Sequence, residues 1–182
     1  MHTERARRPD LRSAITLALA IGTAACSPTL DWREARLEGS GAVVMFPCRP
    51  ERHERKVALA GELLPMRMHA CSAGGANFAL LTLEVVDPAR VTADLGALRG
   101  QLLANLNGAA TGQHALALAG ATPNPESARL RILGKRADGS PVVADAAFFV
   151  RGLTLYQATV LGTDVVPGRE AVDTFFGAIR LL

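Results

Sequence analysis

Motifs of catalysis are what this sequence lacks first. It contains no Gly-x-Ser-x-Gly, and His53, His69 and His114 have no evident acidic partner, which leaves serine acyl transfer without its parts. Neither Cys-x-x-Cys nor His-x-x-x-His spacing occurs, so no zinc set of the familiar kind can be written. Gly39-Ser40-Gly41 and Gly74-Gly75 fit neither a phosphate-binding loop nor a dinucleotide fingerprint. Glu84 and Asp87 cannot be set across a cleft by sequence alone. The expectation is a protein that is not an enzyme and carries no cofactor and no metal.

Charge of one sign is scarce as well. The formal net charge is +3, but the first 25 residues hold Arg5, Arg7, Arg8 and Arg12 against Glu4 and Asp10, so the remainder stands near +1. A field that attracts polyanions needs a surplus, so neither nucleic acid nor a broadly basic membrane face is indicated. Aromatics make up 4% of the chain, whereas apolar residues reach 49%, a balance that belongs to a folded domain rather than a disordered one.

Turning to what is present, the uncharged run Ser13–Ala25 follows those four arginines and ends in small residues before Cys26. That is the order of a secretory signal, and roughly a dozen residues fall short of the ~20 a spanning helix needs. Thr23-Ala24-Ala25-Cys26 resembles the lipobox of bacterial lipoproteins, with Thr23 where Leu, Val or Ile is usual. The resemblance implies that residues 1–25 are removed and that Cys26 is acylated on its thiol. Ordinary secretory cleavage, which also accepts small residues at Thr23 and Ala25, would instead give a soluble periplasmic protein. Ser27 after the cysteine favours the outer membrane, since Asp at that place is what commonly retains a lipoprotein in the inner one.

Cys26, Cys48 and Cys71 are an odd set for an exported protein. With Cys26 lipidated, Cys48 and Cys71 remain, and an oxidising compartment favours a bond between them. Met66, Met68, His69 and Cys71 suggest copper or zinc by residue type. On a strand, however, Met66 and Met68 face away from His69 and Cys71, so packing and a disulfide are the expectation.

Residues 26–40 are expected to be a tether, and 41–182 a single domain. Trp32 reads either as docked on the fold or as an exposed partner anchor. Ala42–Phe46 is a strand closed by Pro47. Arg49 to Lys56 concentrates Arg49, Arg52, Arg55 and Lys56; this is either a partner grip or a polar loop in which Glu51 and Glu54 balance the charge. Paired strands follow over Val57–Ala60 and Leu63–Ser72, with Pro65 marking a strand start or an edge, then a more central strand over Ala76–Val86.

Asp87-Pro88 caps a helix whose Val91, Leu95, Leu98, Leu102 and Leu106 form one apolar stripe, while Arg90, Asp94, Gln101 and Asn105 point elsewhere. Asn107-Gly108 ends it, and Gly96 and Gly100 would let it approach a sheet closely. Leu116–Ala119 is a weak strand. Ala128–Arg136, Val142–Val150 and Leu153–Leu161 form a meander around Asp138-Gly139 and Arg151-Gly152. Pro167-Gly168 opens a last helix with Val172, Phe175, Phe176 and Ile179 inward.

The fold class is therefore α+β: an antiparallel sheet of about six or seven strands with helices packed on it. The order of elements from Phe46-Pro47 through Asp87-Pro88 and Leu155-Tyr156-Gln157 to Phe175-Phe176 resembles the PsbP-like α-β-α sandwich, the group of the photosystem II extrinsic protein and the bacterial LpqN lipoproteins. The resemblance implies an accessory or binding protein and transfers no site residues. The expectation is a lipid-anchored periplasmic module that touches the bilayer through Cys26 and binds an envelope protein. The alternative is a binder of a small apolar ligand between sheet and helix.

Overall fold

The computed structural model describes residues 30–182, so the expected export signal and Cys26 lie outside the described residues. Ten strands and two α-helices follow in the order β1 (Arg33–Leu37), β2 (Ala42–Phe46), β3 (Glu51–Leu59), β4 (Glu62–Ala73), β5 (Ala76–Glu84), α1 (Val91–Asn105), β6 (Ala109–Ala115), β7 (Ala128–Lys135), β8 (Pro141–Arg151), β9 (Thr154–Gly162), α2 (Arg169–Gly177) and β10 (Arg180–Leu181). Seven strands form one antiparallel sheet in the order β3-β4-β5-β9-β8-β7-β6, and β1-β2-β10 form a second, smaller sheet. The fold is α+β, as the pattern of turns and helices implies.

The large sheet is apolar on both faces, so it needs two covers. β8 shows why: Pro141 and Arg151 are exposed, but every residue between them is buried. Its Ala144, Ala146, Phe148 and Val150 pack with Leu95, Leu98 and Leu102 of α1 on one face. Its Ala147 and Phe149 pack on the other with Phe46 of β2 and Val172 and Phe175 of α2. Phe175 meets Phe46 and Phe78 edge to face at 5.4 and 5.5 Å, and Phe149 stacks on Tyr156 at 4.9 Å. The order of layers is helix, sheet, then small sheet with helix.

Helix α1 begins as the sequence indicates. A 3-10 turn over Pro88–Arg90 precedes it, and the Asp87 carboxylate accepts the Ala89 N–H at 2.9 Å. Asn107 takes a left-handed φ of 41° at its end. Asp94, expected to point outward, is instead fully buried, because Arg90 one turn earlier donates to it at 3.1 Å and supplies the opposite charge. The glycines expected to bring α1 to the sheet do not do so: a Cβ on Gly100 would meet nothing within 4 Å, and one on Gly96 would meet the Glu126 carboxylate. The close approach lies at the helix exit, where a Cβ on Gly134 would stand 2.5 Å from the Leu106 carbonyl oxygen.

Three edge elements differ from expectation. The stretch read as tether contains β1, whose Leu37 is buried and whose residues pair with β2, so the folded body starts before residue 41. The basic run is not a loop: Glu51–Lys56 is strand, held by its register with β4 from Glu51↔Ala70 to Leu59↔Glu62. Leu116–Ala119 is not strand; β6 lies just before it at Ala109–Ala115, and Leu116 and Leu118 pack on the core from a loop. Pro65 sits inside β4, one residue beyond the last pair with β5, Met66↔Leu83, where a missing N–H costs no ladder bond on that side.

Candidate functional site

The disulfide is formed. Cys48 and Cys71 are joined across a sequence separation of 23 with their Cα atoms 6.0 Å apart. Cys48 follows β2 and Cys71 lies in β4, so the bond ties the small sheet to the large one. The first described residues enter at this same end, where the Asp31 N–H donates to the Pro47 carbonyl at 2.9 Å. Trp32 follows, half-buried, with its ring edge-on to Phe78 at 6.0 Å.

The basic residues of the sequence do not converge. β3 is the outer strand of the large sheet, and its side chains alternate between faces. Arg52 pairs with Glu54 and reaches Glu38 of the small sheet at 3.4 Å. Arg67 beside it binds Glu84 at 2.6 Å and donates to the Gly39 carbonyl at 3.0 Å. Arg52 and Arg67 thus brace the two sheets. The hydrogen bond from Arg52 holds the Glu54 carboxyl below its usual pKa, with the charges of Arg52 and Arg67 adding to it. Burial pushes His69, 7% exposed behind this network, below the usual imidazole value, and the Arg52 charge pushes the same way. Arg49, Arg55 and Lys56 are exposed.

A ligand cavity between sheet and helix was one expectation. The space there, lined by Val57, Met66, Leu81, Leu98 and Leu102, is about 120 Å³, against the ~300–1,000 Å³ of ordinary small-molecule sites. Leu95 and Leu155 beside it are completely buried. Larger hollows lie on the outside: one of about 670 Å³ against the loop from Ala115 to Ser127, and one of about 580 Å³ between β6, β7 and α2. Among the described residues no group of three His, Cys, Asp or Glu side chains gathers as a metal would require.

Of six exposed large apolar residues among the described residues, Leu63, Val86 and Leu153 lie at the end of the sheet away from the disulfide. Leu63 is 69% exposed, Val86 83% and Leu153 40%. Leu63 pairs with Ala58 at the β3–β4 hairpin, and the Val85 N–H donates to the Leu153 carbonyl at 2.9 Å. Sequence reading set Leu63 and Val86 in strands and did not single them out as exposed; Val86 lies in a bend beyond β5.

In comparisons with known proteins, no family model matches the chain and no curated protein matches it.

Proposed function

We propose that this protein is a lipid-anchored accessory or binding module of the bacterial envelope, non-catalytic, held at the periplasmic face of the outer membrane by acylated Cys26. The observation that carries the binding reading is the contrast between a filled interior and the exposed Leu63, Val86 and Leu153. A filled core with an apolar surface patch favours a protein partner over a small apolar ligand. The order of layers, α1, then the large sheet, then α2 with the small sheet, supports the PsbP-like resemblance, whose members are accessory proteins.

The two ends of the domain divide the work in this reading. Cys26 stands four residues before Leu30, so at most ~14 Å of chain separates the anchor from the disulfide end. Leu63 lies eight residues before Cys71 along β4, which is ~27 Å at the rise of a strand. In this reading Leu63, Val86 and Leu153 stand at the end of the domain away from the anchor, where an envelope protein would meet them.

Two measurements test the proposal together. Cys26→Ala should move the protein from the membrane fraction to the soluble one, and an unacylated wild-type N-terminus in mass spectrometry would end the anchor reading. A photo-crosslinker at Val86 should capture a defined envelope protein, and Leu63→Asp should abolish that product. Crosslinking unchanged by Leu63→Asp would remove the patch from the account.

A further inference from the structure

The two outer strands of the large sheet are built differently. β3 carries Glu51, Arg52, His53, Glu54, Arg55 and Lys56 in succession, and charge along an edge opposes the addition of another strand. β6 reads Ala-Ala-Thr-Gly-Gln-His-Ala, exposed everywhere but at Gly112, with β7 as its one neighbour in the sheet. From Ala109 to Pro125 the chain contains no Asp, Glu, Lys or Arg, and His114 is the one titratable residue. The register slips between Ala110 and Gly112 and is regular from Gly112 to Ala115. The outward N–H and C=O groups of that segment face no strand of the described chain, which is the condition under which an extended peptide adds to a sheet.

Beside this edge, on the face that α2 covers, lies the open trough of about 580 Å³. His114 pairs across the ladder with Arg129, and Gly112 with Arg131. Opposite them stand Arg169 and Asp173 of α2, with Asp145 between. Arg129 is held by Asp173 at 2.9 Å and lies 4.4 Å over the Phe176 ring. Arg131 is held by Asp145 at 3.0 Å and by Asp164 at 2.6 Å. Arg169 is different: its side chain is 65% exposed and reaches Asp145 at 3.9 Å, too far for a hydrogen bond. Of the three arginines around the trough, Arg129 and Arg131 are held by Asp173, Asp145 and Asp164, and Arg169 alone has no carboxylate of the described residues within hydrogen-bond distance.

We infer that the β6 edge is a strand-addition site for an extended acidic segment of a partner protein. The main chain of the segment hydrogen-bonds along Gly112–Ala115, and a carboxylate side chain points into the trough toward Arg169. Main-chain pairing supplies affinity and the loosely held Arg169 guanidinium supplies selection. A second copy of the protein fits less well, because its own β6 edge carries no acidic residue to meet Arg169. This surface is separate from the apolar patch at the sheet end and does not depend on the lipid anchor.

The test uses the full-length protein and two synthetic octapeptides, one alternating Glu and Val, the other Lys and Val. Calorimetry should show that the glutamate peptide binds and the lysine peptide does not. Hydrogen exchange should slow at Gly112–Ala115 on binding and stay unchanged along β3. Arg169→Ala should weaken binding about tenfold, the scale of one lost hydrogen bond to a charged group, and Gln113→Pro should abolish it. Arg169 is exposed, so its variant reads the site even where the proline variant fails to fold. Absence of binding at millimolar peptide, equal binding of the lysine peptide, or protection on β3 would overturn the inference. So would a concentration-dependent dimer that protects β6 without peptide.

Discussion

Reducing the Cys48–Cys71 bond is the most direct perturbation of this fold, because the small sheet shares no backbone ladder with the large one. What joins them is side-chain packing around Phe46 and Phe175, the Tyr156 hydroxyl donating to the Ser40 carbonyl at 2.6 Å, the Arg67 contact to Gly39, and the disulfide. In the chain-entropy account, releasing a loop of 23 residues costs about 3 kcal/mol of stability. For a domain of this size that corresponds to a fall in Tm of about 6–12 °C. The cleanest assay compares oxidised and reduced wild-type protein by calorimetry, since no side chain changes volume. Cys48→Ala/Cys71→Ala should then match the reduced form, apart from the modest packing that half-buried Cys71 contributes to the core. Coincident melts of oxidised and reduced protein would refute the reasoning and show that packing alone fixes the small sheet.

Other outcomes follow from single contacts. Tyr156→Phe removes the donor to the buried Ser40 carbonyl and should cost about 1–3 kcal/mol in denaturant unfolding. Burial also raises the Tyr156 pKa, so above pH ~10 the unfolded state loses a proton that the folded state keeps; stability should fall with rising pH there, and the Phe variant should lack that component. His69 has the opposite sign: its folded pKa is lowered, so as pH falls through ~6.5 the unfolded state gains a proton first and stability drops, a decline that His69→Gln should flatten. Gly134→Ala drives a Cβ into the Leu106 carbonyl and should destabilise by about 1–3 kcal/mol, whereas Gly100→Ala, with open space, should stabilise by about 0.5–1 kcal/mol. Arg90→Met leaves the Asp94 carboxylate buried without its cation and should cost about 3–5 kcal/mol, partly restored by adding Asp94→Asn.

The elements legible in the sequence are those whose signal is local. The stripe of α1, the Asp87 cap, the meander from β7 to β9 and the phenylalanines of α2 each declare themselves within one segment, and each is found in place. The disulfide was legible through cysteine parity and compartment. The misses share one cause. β1 buries Leu37 alone, β3 is polar along most of its length and β6 is small and neutral; none has the alternation that marks a half-buried strand. They are extended because a neighbour holds them in register, a tertiary effect no window along the chain contains. The burial of Asp94 was missed for a related reason, since a charged residue enters a core when a partner is positioned for it, and that partner is specified by fold as well as by spacing.

The same arrangement constrains where this domain can act. A sheet apolar on both faces and covered on both faces leaves its interior filled, as the complete burial of Phe148 on one side and Phe149, 1% exposed, on the other shows. On the proposed binding reading, the surfaces left for a partner include the ends of the sheet and its outer strands. One end receives the chain beside the disulfide, and the other presents Leu63, Val86 and Leu153. One outer strand is charged and the other neutral. An apolar end and a neutral edge offer different chemistry to a partner, side-chain burial in one case and main-chain hydrogen bonding in the other. Leu63→Asp should therefore abolish crosslinking at Val86 while leaving binding of the glutamate peptide intact, and Arg169→Ala should do the reverse. A single variant that removed both would mean that the two surfaces act as one.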